Sequence, residues 1–360
     1  MWRAGGAVDA QELEVIGLGA LNVDLIAPRS NRDAGSVDDN ETVATMQEIL
    51  DRCAAEGLTP AMFLGGSAFN AIVMLAQLRT DLRLGMVGIS AGAAYGVAES
   101  HGGRLGVLGI ADLTRRSEHR PGLCLALLEE HRRRLYTSPE ANVEIADYLR
   151  EDDRPRESAA RARVLHVTSL LEDPQVPGSN DVVKAVAGFV ESAKGDNPAL
   201  VLSFDPGSTW VDGLGRLPDL RRIYALADVL YVNPMEYGVL SGSPYPGGGR
   251  AASLLGLCPA GTQVVVKPIH QIVVHRADGF ELSRVPRVDD DEAVDPTGAG
   301  DAVAAGVLAA LGEGRSVTEG CRLGLRIAAQ RVSDLGDRGH VDLRRALGEL
   351  WPPGTSSVIG

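Results

Sequence analysis

Cysteine is scarce in this chain: four among 360 residues, at Cys53, Cys124, Cys258 and Cys321. They form no C-x-x-C pair and have no histidine at ligand spacing. That argues against a disulfide framework or a zinc site and for reduced, buried thiols in a cytosolic protein. Long apolar runs are missing too. No stretch reaches the roughly 18 residues of a membrane span, and the polar segment from Met1 to Gln11 has no secretory apolar core. The expected location is cytoplasmic, with no membrane partner. Positive charge is in deficit, with 35 Lys and Arg against 48 Asp and Glu, a net charge of −13. Phosphate backbones select basic surfaces, so nucleic acid is not an expected partner. A small anionic ligand remains compatible, because a local pocket can oppose the global charge. Internal repeats and low-complexity linkers are also absent, and the length suits one large domain or two ordinary ones.

Glycine, by contrast, is abundant, at 43 residues. The most informative glycines lie in Asp295-Pro296-Thr297-Gly298-Ala299-Gly300-Asp301. Beyond them Ala299, Val303, Ala304, Val307, Leu308 and Leu311 recur at helical spacing, which predicts a buried helix from Ala299 to about Leu311. Gly298 and Gly300 leave room for successive N–H groups at the helix start to point at an anion. A helix N-terminus also carries partial positive charge. Gly298, Ala299 and Gly300 therefore form a candidate anion hole. Asp301, in the first turn, can accept a proton from an attacking hydroxyl. The plainer reading is a helix capped by Thr297 or Asp295 after a glycine turn.

Three other stretches carry polar residues in suggestive places. Glu14 to Ala20 reads as a buried strand, and alternation in Asn22-Val23-Asp24-Leu25-Ile26 puts Asn22 and Asp24 on one face. An amide and a carboxylate there can bind sugar hydroxyls. In Phe63-Leu64-Gly65-Gly66-Ser67-Ala68-Phe69-Asn70 two glycines end an extended segment and a helix follows from Asn70 to Leu78. Gly65 and Gly66 let a ligand approach the backbone, and Asn70 can reach it. A strand from Ala227 to Val232 delivers Asn233 and Glu236 to one turn. That pair suits hydrated Mg²⁺, although a helix cap with an acidic first turn explains it equally well. Asp205 ends the strand from Leu200, where open parallel sheets place ligands, and is a candidate to hold a metal-bound water. His166 lies in an apolar run and reads as a core histidine.

The remaining expectations are coarser. Arg29 to Asn40 reads as a loop and Glu41 to Ala55 as a helix. Leu82 to Ile89 reads as a strand followed by a Gly/Ala-rich bend. Pro121 to Glu130 and Arg132 to Thr137 read as two strands of a small sheet. The charged stretch 145–162 reads as an exposed helix and loop. Val164 to Val167 is a strand; Asp181 to Lys194 and Val317 to Val332 are helices. Asp289 to Glu292 is a solvated acidic loop.

The Asp295–Asp301 heptad resembles the signature of the ribokinase-like (PfkB) carbohydrate kinase family, with Pro296 where that family usually has Thr. The Asn22/Asp24, Gly65-Gly66/Asn70 and Asn233/Glu236 elements match it in order and spacing, and the resemblance covers about residues 13 to 345. It implies an α/β fold, a doubly wound three-layer α/β/α sandwich. A small β-sheet lid would be drawn from about 22–30 and 100–140, and residues 346–360 form a C-terminal tail. It implies transfer of a phosphoryl group from ATP, with Mg²⁺, to a hydroxyl of a sugar or sugar-containing metabolite, a primary alcohol being expected. Asp301 takes the base role and the Gly298–Asp301 backbone holds the transferred phosphate. Asn22, Asp24, Gly65, Gly66 and Asn70 line the acceptor pocket. Asn233 and Glu236 position Mg²⁺, with Glu236 acting through water, and Thr297 and Lys267 lie by the nucleotide. Relatives usually have Thr-x-Gly-x-x-Gly after the strand at Val264; here Lys267 replaces the Thr, and Ile269 and Ile272 replace the glycines. Lys267 is either a charged contact to phosphate or a solvent-facing lysine at a strand end. A nucleoside is the alternative acceptor, with Phe69 either stacking on a base or packing in the core. A non-catalytic sugar or nucleotide sensor is the alternative of another class. Homodimer formation through the lid is a further implication.

Overall fold

The computed structural model describes residues 13–28, 41–78, 81–129, 132–172, 181–245, 254, 256–268, 271–284 and 297–332. Asp295 and Pro296, the acidic run 289–292, the loop 29–40, Ile269 and the tail 346–360 lie outside the described residues.

Strand β1 (Val15–Leu18) opens the large sheet, and the chain then leaves it for β2 (Asn22–Pro28), β3 (Glu41–Val43), α1 (Met46–Ala55) and β4 (Ala61–Gly65). It returns through α2 (Ser67–Gln77), β5 (Leu84–Ala91), α3 (Val97–Val107) and β6 (Ala111–Ser117), and leaves again for β7 (Gly122–Glu129) and β8 (Arg132–Ser138). The second half comprises α4 (Ile145–Glu151), α5 (Asp153–Ala159), β9 (Val164–Thr168), α6 (Val182–Asp196), β10 (Val201–Asp205), α7 (Gly207–Gly213), α8 (Leu220–Tyr224), β11 (Val229–Val232) and α9 (Pro234–Ser241). It ends with β12 (Gln263–Val266), β13 (Gln271–Arg276), β14 (Gly279–Arg284), α10 (Ala299–Gly312) and α11 (Val317–Arg331).

The large sheet has nine strands in the order β14-β13-β12-β11-β10-β9-β1-β5-β6. From β12 to β6 every neighbour is parallel, and β13 and β14 close one edge antiparallel. Strands covered on both faces must be apolar throughout, and β1, β9 and β11 are buried at every residue. Ile16, Leu165, Leu202 and Phe204 pack into one core with Val186 and Phe189 of α6. Val15, Val164, Val229 and Tyr231 pack into the other with α2, α10 and α11. The strand order reverses at β1, flanked by β9 and β5. Open parallel sheets bind ligands beyond the carboxyl ends of their strands at such a point. Thr168, Asp205, Asn233 and Lys267 all end or follow neighbouring parallel strands there.

The small sheet has the order β3-β8-β7-β2-β4. Its apolar face, with Val23, Ala27, Leu123, Leu125 and Leu127, packs around Ile49 of α1. Asn22 and Asp24 occupy the opposite face.

Four expectations change. The segment from Glu41 begins as β3, paired with β8, and the helix starts only at Met46. Thr45 and Glu48 set that start as a capping box, each side chain accepting the other's backbone N–H, at 3.2 and 2.7 Å. Helix α2 begins at Ser67, three residues before Asn70. The region 100–140 is not all lid: α3 and β6 belong to the large sheet, where β6 pairs with β5, and the lid resumes at Gly122. Gly102, Gly103 and Gly106 break the apolar period of α3, which hides it in the sequence. The charged stretch after residue 145 forms α4 and α5, which bury Ile145, Tyr148 and Ala159.

Helices α10 and α11 touch backbone to backbone. A Cβ on Gly306 would lie 2.5 Å from Gly324 Cα, and one on Gly324 would lie 2.6 Å from Val303 Cα. The contact fixes the helix that carries Asp301. An alanine in a helix interior is ordinarily favoured over glycine by about 1 kcal/mol. Gly324→Ala is nevertheless expected to destabilise, by about 1–3 kcal/mol, because overpacking forces the helices apart. Urea unfolding reads this directly, and a stabilised variant would show that the helices are not in backbone contact.

Candidate active site

Two helix N-termini meet at the carboxyl edge of the large sheet. Gly298 precedes α10 with φ 82°, in the left-handed region that glycine tolerates, and its carbonyl accepts the first helical bond from Ala302 N at 2.9 Å. The N-cap position of α10 is Gly298, which has no side chain, so Thr297 does not occupy it. The first-turn N–H groups of Ala299, Gly300 and Asp301 start an apolar helix whose dipole favours an anion. From the other helix, Asn70 Nδ2 donates to Asp301 Oδ2 at 2.9 Å.

Asp24 brings the lid to the same place. Its carboxylate lies over Gly65, where any Cβ would collide with it, and a Cβ on Gly66 (φ 111°) would collide with the Ala20 carbonyl. Both glycines are therefore required by close approach. Asn22 and Asp24 are 8 % and 9 % exposed. Asn22 and Asp24 thus lie against Gly65 and Gly66 at one end of α2, and Asn70 of that helix reaches Asp301.

Lys267 is not solvent-facing. Its Nζ donates to Asp205 Oδ2 at 2.7 Å, with side chains 14 % and 13 % exposed. A Cβ on Gly300 would lie 3.4 Å from Nζ, so the ammonium faces the first turn of α10. Burial works against its charge, but Asp205, Glu236 and Asp301 hold its pKa above the ordinary lysine value. It is cationic at neutral pH. The Tyr231 ring lies 5.5 Å from Nζ. Beneath it runs a polar track: Ser203 Oγ donates to Tyr231 OH at 3.2 Å and lies 3.0 Å from His166 Nδ1. Burial pushes the His166 pKa down to about 4, so it is neutral and structural, as the apolar run around it suggests.

Asn233 and Glu236 form a capping box at the start of α9. Asn233 Oδ1 accepts from Met235 N and Glu236 N at 2.9 and 2.8 Å, and Glu236 Oε2 accepts from Asn233 N at 2.8 Å. The cap reading is therefore what the geometry displays, and the charge of Glu236 also reaches Lys267. Asp205, expected beside a metal-bound water, has the Lys267 ammonium against it. Among the described residues, no group of three or more His, Cys, Asp or Glu side chains is arranged to hold a metal ion. One or two carboxylates that share Mg²⁺ with phosphate oxygens suffice for a nucleotide-bound ion, and Glu236 with Asp205 offers that oxygen chemistry. Phe69 is 3 % exposed and edge-on to His101 at 5.1 Å, which makes it a core residue rather than a base-stacking one.

Sequence reasoning missed two contributors. Tyr231 sits in an apolar strand run, and only its cross-strand neighbours reveal its role. Asn142 follows β8 with no local signal to mark it; its Nδ2 donates to Asn22 Oδ1 at 2.8 Å.

Comparison with known proteins agrees with this geometry. The chain matches the pfkB family carbohydrate kinase domain over residues 38–342. It is 31 % identical over 118 residues to the cytidine kinase of Thermococcus kodakarensis, covering 33 % of this chain and 41 % of that protein. It is 25 % identical over 198 residues to the nucleoside kinase of Methanothermobacter thermautotrophicus, covering 54 % and 56 %. The matched stretches thus span about half or less of these curated relatives. In fold it is similar to the crystal structure of adenosine kinase from Sinorhizobium meliloti, with a TM-score of 0.76 and 21 % identity over 94 % of this chain and 99 % of that one. The chain belongs to the PfkB carbohydrate kinase family, the phosphotransferases with a ribokinase-like fold that act on sugar or nucleoside hydroxyls.

Proposed function

We propose that the protein transfers the γ-phosphoryl group of ATP to a primary hydroxyl on a sugar ring, free or within a nucleoside. The observation that carries this reading is the Asn70–Asp301 hydrogen bond, which joins the acceptor surface to the helix N-terminus. The acceptor hydroxyl lies against Asp301, which takes its proton as the hydroxyl oxygen bonds to the γ-phosphorus. The bond from that phosphorus to the β–γ bridging oxygen breaks, and ADP leaves. Asn22, Asp24, Gly65, Gly66 and Asn70 orient the ring. The N–H groups of Gly298, Ala299 and Gly300 and the Lys267 ammonium stabilise the spread charge of the transferring group. Thr297, just before them, lies beside the same phosphates. Mg²⁺ carried by the nucleotide would be held through water by Glu236, beside Asn233 and Asp205, and would neutralise phosphate charge.

A nucleoside acceptor is favoured by the curated relatives, a cytidine kinase and a nucleoside kinase. Four cysteines with no disulfide among them fit a cytoplasmic setting. Helix α1 covers the apolar face of the small sheet, so pairing of two copies through the lid would use its edge strands, β3 and β4.

The deciding assay is ADP release from Mg-ATP across pentoses, hexoses and nucleosides. Turnover on one class, lowered about 10²–10⁴-fold by Asp301→Asn, is the expected result; unchanged turnover in that variant would remove Asp301 from the base role. Lys267→Met strands Asp205 without its cation, which typically costs about 3–5 kcal/mol for a buried pair. The double variant Lys267→Met/Asp205→Asn is expected to regain most of that stability in urea while its KM for Mg-ATP stays raised. If the double variant keeps the wild-type KM, Lys267 does not contact the donor.

A further inference from the structure

We infer that Asn142 is a positioning residue that fixes which end of the Asn22 amide faces the acceptor, and so sets the hydrogen-bond polarity of the pocket. The inference deepens the kinase reading and rests on it for the identity of the ligand.

The backbone N–H of Leu21 is a donor, and it donates to Asn142 Oδ1 at 3.2 Å. An amide has one oxygen and one nitrogen, so the other end of Asn142 must be its NH₂. That Nδ2 lies 2.8 Å from Asn22 and donates to Oδ1. The orientation of Asn22 follows in turn: its oxygen is used by Asn142, and its own NH₂ lies on the far side of the carboxamide. Among the described residues no hydrogen bond uses Asn22 Nδ2, although Asn22 is only 8 % exposed. Asn142 itself is 3 % exposed, so water does not compete for the clamp. Gly122, paired with Asn22 across β2 and β7, forms the floor; a Cβ there would collide with both Asn142 Nδ2 and Asn22 Oδ1.

The pocket wall is therefore asymmetric. Asn22 presents donors, whereas Asp24, two residues on and on the same face, carries a carboxyl group whose oxygens accept. A ligand matches both when an oxygen that accepts sits beside a hydroxyl that donates, as in a furanose ring bearing adjacent oxygens.

Asn142→Asp tests this because it keeps the bond count and reverses one direction. The new carboxylate still accepts from Leu21 N, but it can no longer donate to Asn22. Asn22 then turns over to donate to it, and Oδ1 faces the pocket. Steady-state kinetics with adenosine, cytidine and D-ribose should show the acceptor KM raised about tenfold, the size of one lost hydrogen bond, with the KM for Mg-ATP within about twofold. The penalty should shrink toward acid pH, where the protonated carboxyl can donate again. An unchanged acceptor KM, an equal rise in both KM values, or a penalty independent of pH would overturn the inference. If the wild type phosphorylates none of the three and no other pentose, hexose or nucleoside of the wider panel, the kinase reading has failed. Neutron diffraction then still decides this point: Asn22 deuterons directed away from Asn142 in the wild type support it, and deuterons directed at Asn142 refute it.

Discussion

A single hydrogen bond, from Asn70 to Asp301, is where the two halves of the chain become one site. It can form only if α2 and α10 begin side by side. Each start is set by glycine: Gly65 and Gly66 admit Asp24 and the Ala20 carbonyl against the backbone before α2, and left-handed Gly298 turns the chain into α10. Behind α10, the backbone contact with α11 removes the slack that side chains would introduce. The carboxylate is thus placed by backbone geometry on every side. A group positioned this way loses little conformational entropy when it acts, which is what preorganisation means in energetic terms.

The electrostatics run against the protein's overall balance. The chain is strongly acidic, yet the buried Lys267 ammonium sits among Asp205, Glu236 and Asp301 beside the N-terminus of α10. A buried charge must be paired to be tolerable, and here the pairing is with groups that a nucleotide and its metal would also engage. In the relatives' pattern a hydroxyl stands at this place. The lysine adds a full charge and a longer reach, and the Tyr231 ring with the Ser203 and His166 chain beneath it gives the stem a fixed bed. Burial keeps His166 neutral.

The fold was largely legible where one local signal sufficed. Buried strands such as Val164–Val167 show as apolar runs, and the α10 helix shows its period without interruption. The glycine and carboxylate elements show in the sequence, but the Asn70–Asp301 contact that joins two of them is read only from the fold. What stayed hidden depended on distant partners. Helix α3 is interrupted by glycines, so its period is lost, and with it the edge strand β6 that it leads to. Strand β3 is three residues long and exists because β8 is there to pair with it. Lys267 read as evenly divided between two fates because Asp205, 62 residues earlier, decides between them. The Asn233–Glu236 turn served two readings from sequence, and both persist: a capping box is also a well-placed carboxylate.

The row Gly65–Asn22–Gly122 runs straight across three neighbouring strands, and Leu123 beside it pairs with Ser138, where β8 ends. These are the places where the chain crosses between the two sheets, four times in all, and the crossings stand shoulder to shoulder. The small sheet is thus tied to the large one along this row, and Glu41 N–H, donating to Ser208 Oγ at 3.4 Å, adds a tie from β3 to α7. Asn22 and Gly65 lie in the row, and the Asp24 carboxylate reaches back over Gly65, so the candidate acceptor wall is anchored where the two sheets join.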